Sequence, residues 1–283
     1  MKSLDKRPCN PLCLAVNSLA LDAAGVAVVW HWVLGHALGL PVSGSSLWVL
    51  GLSVWLVYVG DRWLDARGKA PSALPTQRHR LLAQYRVPFL VLWAVVLVVD
   101  VCLAITGLTS AQFQAGLVVL VFSLIYTVGI QRRVAIRRTK ELQVAAIFLV
   151  GVGAFFWGES LSTQSLLWLA LLLALFGLAC FVNCILLARW EMDVDRVLGR
   201  KSLPLALGDR ASQLKYWALT TGVAGLLLAL AAPKRLTGIP LLLGLYGFYL
   251  LALDLTEWPR NIELRRSYAD GGLLIFGLIA YCF

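Results

Sequence analysis

Two short stretches hold the residues best suited to chemistry. In Val57–Lys69 (VYVGDRWLDARGK) Asp61 and Asp65 are four apart, and in Phe181–Asp209 (FVNCILLARWEMDVDRVLGRKSLPLALGD) so are Glu191 and Asp195. At helical spacing each pair shares one face, the second together with Asn183 and Leu187. Each pair closes an apolar run and meets bases at once: Arg67 and Lys69 after the first, Arg196, Arg200 and Lys201 after the second. Negative charge at a helix C-terminus is unfavourable, and like charges four apart repel, so something cationic must compensate them. Two carboxylate pairs facing each other across a bundle suit a hard divalent ion such as Mg2+, whose usual partners are a few carboxylates and substrate phosphate oxygens. The plainer account is neutralisation by neighbours: Asp65 by Lys69, Asp193 by Arg189 or Arg196. Asp193 fits that account. Asp61, Asp65, Glu191 and Asp195 fit the metal account better, because acids at the membrane edge are expensive to keep.

The elements that must position these acids are membrane helices. Of 283 residues 60% are hydrophobic and 14% charged, which excludes an ordinary soluble domain. Nine apolar runs, at about 12–40, 46–66, 82–106, 109–130, 141–159, 165–190, 212–232, 237–255 and 265–283, each approach the roughly 20 residues that span hydrocarbon. The net charge of +10 does not point to nucleic acid, because all but Lys234 and Arg235 of the 25 Lys and Arg fall on one side of this arrangement. The positive-inside rule then puts the N-terminus and both acid pairs in the cytoplasm and the C-terminus outside, in an inner membrane. The first run has no small-residue cleavage site after it and reads as a retained helix. None of the six cysteines forms a metal-type CxxC pair. Cys180 and Cys184 read as small packing residues.

Other polar positions are fewer. Asn17, Asp22 and His31 interrupt the first run; Asp22 marks either a site or a buried structural hydrogen bond, and His31 reads as packing. Gly68–Gln77, with Pro71 and Pro75, is a loop over the cytoplasmic mouth that could serve as a lid. Asp100 lies far from the acid pairs and is assigned no chemistry. The fourth run ends in Tyr126, then Arg132 and Arg133, which either contact anionic lipid or grip a diphosphate. Asp270, near the cytoplasmic edge, suits a partner role to an arginine. Inward-facing members of the 11 Trp, 8 Tyr and 11 Phe could line a dry pocket that stabilises a carbocation.

Two acid motifs at cytoplasmic helix ends, nine spans and the tail Asp195–Gly208 together resemble the UbiA-type intramembrane prenyltransferases over nearly the whole chain. The second family motif, DxxxD followed by a basic, glycine-containing segment, is matched by Glu191, Asp195, Gly199, Leu203, Pro204 and Gly208. The first, NDxxDxxxD, is matched by Asp61 and Asp65, whereas Val57 and Tyr58 stand where Asn and Asp are expected. Tyr126 with Arg132 or Arg133 loosely matches the family's tyrosine and lysine element.

The resemblance implies an all-α bundle of nine transmembrane helices, one domain over 1–283 built of two loosely repeated halves (about 1–135 and 136–283). Its central cavity would open to the cytoplasmic side and to lipid. It further implies Mg2+ held by Asp61, Asp65, Glu191 and Asp195, with Tyr58, Tyr126, Arg132, Arg133, Asn183, Arg200 and Lys201 around the substrate. The reaction would join an isoprenoid from a prenyl diphosphate to a lipophilic or aromatic acceptor. A terpene cyclase of the same superfamily, or a non-catalytic isoprenoid-binding or assembly protein on that scaffold, shares these features. The topology is testable first: a cysteine introduced at Ser72 is expected to react only with cytoplasmic label, and labelling from outside would overturn the orientation.

Overall fold

A computed structural model describes residues 16–66, 68, 70–132, 140–197, 199 and 201–282, with the side chains of 65, 73 and 128–132 outside that description. The described chain is helical: α1 (Leu21–Leu38), α2 (Gly44–Ala66), α3 (Gln77–Gln84), α4 (Arg86–Gly107), α5 (Ser110–Arg132), α6 (Lys140–Ala154), α7 (Thr163–Trp190), α8 (Met192–Val197), α9 (Leu203–Leu207), α10 (Lys215–Ala231), α11 (Gly238–Thr256) and α12 (Ile262–Ala280). Each apolar run contains one long helix. Seven stretches, those of α1, α2, α4, α5, α7, α9 to α10 and α11, are long and apolar enough to cross a membrane. The 15 residues of α6 are short for a crossing, and α12 carries Glu263, Arg265, Arg266 and Asp270.

The centre of the bundle is α7, apolar on every side and buried over most of its C-terminal half, while Leu166, Leu167 and Leu171 near its start are exposed. Phe176, Val182, Leu186 and their neighbours pack there against Trp30 of α1 and Tyr246 and Leu250 of α11. At 1.5 Å per residue its 28 residues span about 42 Å, more than the hydrocarbon needs, so its C-terminal end projects toward the polar zone. Around it α1 packs on α2, α6 and α12, α11 packs on α10 and α12, and α4 sits against α2. Only 6% of the α4 span and 11% of the α5 window are buried, which puts these two at the lipid-facing periphery.

Local chemistry breaks two runs that hydropathy reads as continuous. The first breaks at Ala20, whose φ of 58° is left-handed. Carbonyls freed by that break accept from α2: Arg62 Nη1 donates to Asn17 and Ser18 oxygens at 2.6 and 3.0 Å, and Trp55 Nε1 to Leu19 at 2.9 Å. The third splits at Tyr85, because Pro88 lacks the N–H that would bond Gln84 and its ring crowds that carbonyl. The expected loop at Gly68–Gln77 contains a 3-10 turn over Pro71–Ala73 and ends where the polar helix α3 begins at Gln77.

The tail glycines have backbone reasons. Gly199 (φ 66°) lies just beyond α8, and Gly208 combines φ 56° with ψ −124°, a conformation open to glycine and hardly to any other residue. Close approach governs α10 against α11: a Cβ on Gly225 would lie 2.5 Å from the Gly244 Cα. Gly225→Val should therefore destabilise the protein by about 1–3 kcal/mol through overpacking. Gly116→Ala, with no atom within 4 Å of its Cβ, should leave the unfolding midpoint unchanged in a thermal scan in detergent.

Candidate functional site

Five elements converge at the end of α7. Its last turns carry Asn183, Cys184 and Leu187, and Glu191 follows as the C-cap. Arg62 and Tyr58 come from the end of α2, Arg78 from α3, Arg266 and Asp270 from α12, and Asp22 from the first turn of α1. Between them lies a cavity of about 70 Å³, walled by Val26, Tyr58, Phe148, Asn183, Arg266 and Asp270 among others.

Glu191 is buried, and its Oε2 accepts from Arg78 Nη2 at 2.9 Å and from Arg266 Nη1 at 3.1 Å. Burial alone would raise this carboxyl, but the two guanidiniums outweigh it and hold the group well below the usual carboxylate range. Its stabilising contribution is therefore complete above the ordinary carboxylate pKa and is lost only as pH falls through the depressed one. Asp195 is buried as well but belongs to another contact: Lys140 Nζ of α6 is 3.6 Å from its Oδ2. Helix α7 ends at Trp190, so the two acids do not lie on one continuous helix; the Asp195 N–H to Glu191 oxygen bond of 2.9 Å keeps them in register across the break. Asp193 is exposed and meets Arg196 at 2.6 Å. Arg189 is not its partner: it bonds Asp254 of α11 at 2.5 and 2.6 Å, beside Trp190 Nε1 at 2.8 Å.

A second polar group adjoins the cavity. Asn17 Nδ2 donates to Asp22 Oδ2 at 2.5 Å and to Asp270 Oδ2 at 3.1 Å, while Asn183 Nδ2 donates to Asp270 Oδ1 at 2.8 Å. Arg266 Nε lies 3.6 Å from Asp270, the arginine partnership its sequence position suggested.

Of the residues singled out from the sequence, Tyr58 and Asn183 line this cavity and Glu191 borders it through Arg266. Val57 does not line it; the side chain is 36% exposed, so only one of the two altered motif positions faces inward. Asp61 is half-buried near the end of α2, Tyr126 is half-buried on α5, and Lys201 is exposed. Arg132 ends α5; its side chain, that of Asp65, and all of Arg133 and Arg200 lie outside the description. Sequence reasoning missed Arg62, Arg78 and Arg266. The first directly follows Asp61 and the last precedes Asp270 by one helical turn, both local signals. Arg78 has none, being 113 positions from Glu191.

No family model matches this sequence, and no curated protein is significantly similar to it. The fold does have relatives. A UbiA homolog from Archaeoglobus fulgidus bound to DMAPP and Mg2+ superposes with a TM-score of 0.61 at 13% identity, over 94% of this chain and 99% of that one. The same homolog bound to GPP and Mg2+ gives 0.62 at 13%, over 94% and 99%. The apo UbiA homolog from Aeropyrum pernix K1 gives 0.61 at 14%, over 93% and 99%. This chain has the UbiA fold and is an integral membrane protein.

Among the described residues no three His, Cys, Asp or Glu side chains gather where they could hold a metal ion. Glu191 Oε1, buried without a hydrogen-bond partner, suits an ion shared with a ligand, because Mg2+ commonly takes one or two carboxylates with phosphate oxygens completing its shell. Glu191→Gln would leave the buried Arg78 guanidinium without its anion, while Arg266 keeps Asp270, and is expected to cost about 3–5 kcal/mol. Asp193→Asn, at an exposed pair, should not move the unfolding midpoint measured in the same detergent.

Proposed function

We propose that this chain transfers an isoprenoid chain from a prenyl diphosphate to a lipophilic or aromatic acceptor within the membrane, with Mg2+ as cofactor. The observation that carries this reading is the cavity: within a fold whose relatives bind DMAPP or GPP with Mg2+, its lining joins buried arginines to an apolar wall. All nine long helices would cross the membrane, with N-terminus and cavity mouth cytoplasmic and the C-terminus outside.

The roles follow from chemistry. Asp61, Asp65, Glu191 and Asp195 would hold the ion, which supplies charge neutralisation at the diphosphate when bound. Arg62 and Arg266 offer fixed forks for phosphate oxygens, supported at the mouth by Arg132, Arg133, Arg200 and Lys201. Tyr58, Tyr126 and Asn183 would orient the substrate, and Phe148 and its apolar neighbours exclude water from the allylic cation. A space of about 70 Å³ is far below the roughly 300 Å³ at which ligand pockets begin, so loading requires an opening. Helix α3 is tied to the end of α7 by Arg78 to Glu191 and to the start of α12 by the Gln77 N–H to Glu263 at 2.7 Å, so an opening on its side would have to break these contacts.

Tyr58, half-buried against the cavity where the resemblance calls for an oxygen donor, keeps a second reading open: a protein that binds isoprenoid diphosphates without turning them over. Full-length protein in nanodiscs, titrated with geranyl diphosphate with and without Mg2+ and assayed for released diphosphate, separates these. Metal-dependent binding that falls at least tenfold in Asp61→Asn and in Asp195→Asn is expected, and unchanged affinity in both would defeat the metal site. Tyr58→Asp should tighten Mg2+ binding in the presence of the ligand, while Val57→Asn should not. Formation of a cyclised product from geranyl diphosphate alone would replace transfer by cyclisation.

A further inference from the structure

Asp22 and Asp270 belong to neither acid motif, yet helices at opposite ends of the sequence bring them to one wall of the cavity. They accept from the same amide nitrogen, Asn17 Nδ2, at 2.5 and 3.1 Å, so the two carboxylates sit side by side. The remaining oxygens are held by the Ala23 N–H at 2.9 Å on Asp22 and by Asn183 Nδ2 at 2.8 Å on Asp270. That last bond fixes which way the Asn183 amide points. Its Oδ1 is then an acceptor, on a side chain 92% buried by its 8% exposure, with no hydrogen-bond partner. Two carboxylates and a bare amide oxygen make this wall rich in acceptors, and a buried acceptor left without a donor is costly. The nearby guanidiniums do not remove the need. Arg62 Nη1 is engaged by the carbonyls of Asn17 and Ser18 and Arg266 Nη1 by Glu191, while Arg266 Nε stays 3.6 Å from Asp270 Oδ2, beyond hydrogen-bond reach.

We propose that Asp22 and Asp270 form a paired-carboxylate base that receives the proton of the second substrate, and that this substrate is therefore a neutral O–H or N–H donor such as a phenol. The inference rests on the transfer reading above. In that reaction the allylic C–O bond breaks, and its electron pair leaves with the diphosphate. The acceptor's nucleophilic atom forms the new bond to the allylic carbon, and its proton passes to the Asp22–Asp270 pair. Two adjacent carboxylates share one added proton readily, because it relieves their mutual repulsion. Asn183 Oδ1, an acceptor beside the pair, would share that same hydrogen in a three-centre contact and so orient the donor. An acceptor bearing its own carboxylate would be repelled by the same wall.

The test compares binding of 4-propylphenol with that of its methyl ether, which keeps the shape and lacks the proton. Full-length protein in nanodiscs is used, corrected with empty nanodiscs. The wild-type chain is expected to bind the phenol about tenfold or more tightly, the usual worth of a hydrogen bond to a charged group. Asp22→Asn and Asp270→Asn should each shrink that ratio severalfold. Equal binding of phenol and ether by the wild-type chain overturns the proposal, and needs no variant to be read. So does a full phenol preference in both variants, which would leave the pair a purely structural clamp among α1, α7 and α12. Geranyl diphosphate binding, measured in parallel on the wild-type chain, judges the transfer reading by itself: its absence sinks that reading whatever the phenol comparison gives.

Discussion

The arrangement of the cytoplasmic end depends on neutralising charge where water is scarce. Glu191 and Asp22 are buried and Asp270 is half-buried, and Arg62, Arg78 and Arg266 sit among them or reach them directly. Removing any one such ion from water costs several kcal/mol, which only close partners offset, so the positions of α2, α3, α7 and α12 are mutually constrained. Arg266 is the hinge of this set, because a single guanidinium spans Glu191 at the end of α7 and Asp270 one turn along α12. The bundle can vary its lipid-facing helices freely. It cannot shift α12 along α7 without stranding a charge.

Backbone polarity sets a second constraint, and the same residues meet it. The break before α1 leaves carbonyls that hydrocarbon could not solvate, and Arg62 with Trp55 takes them up. That break also turns Asn17 back toward Asp22 and Asp270. One local interruption of a helix thus supplies both the anchor for α2 and the amide that holds two acids together. Close glycine contacts between α10 and α11 secure the opposite flank, where packing and not charge decides the distance.

The likeness to known structures is one of fold. The chain matches UbiA homologs over nearly their full lengths at 13–14% identity, while Tyr58, Cys180 and Cys184 bring an aromatic hydroxyl and two thiols to the cavity wall. The thiols are free and sit in an apolar setting, so they act as packing. A scaffold defined by helix packing tolerates such changes. What a site can do is decided by the few side chains that face inward.

Hydropathy is a property of the chain against its solvent, and the amino-acid order alone therefore determined the nine helical runs, the acids at their ends and the stopping glycines at 199 and 208. That Asp193 is neutralised by a neighbour was legible for the same reason, though the choice of Arg196 over Arg189 was made by the structure. Partners were not. Nothing near Glu191 announces Arg78, nothing near Arg189 announces Asp254, and Asp22 and Asp270 are separated by most of the chain. Tyr58 inward and Val57 outward could not be told apart from a motif, because a rotation of one residue about the helix axis decides it. Such pairings and orientations are set by how helices cross and rotate against one another, a long-range outcome of packing that no local pattern encodes.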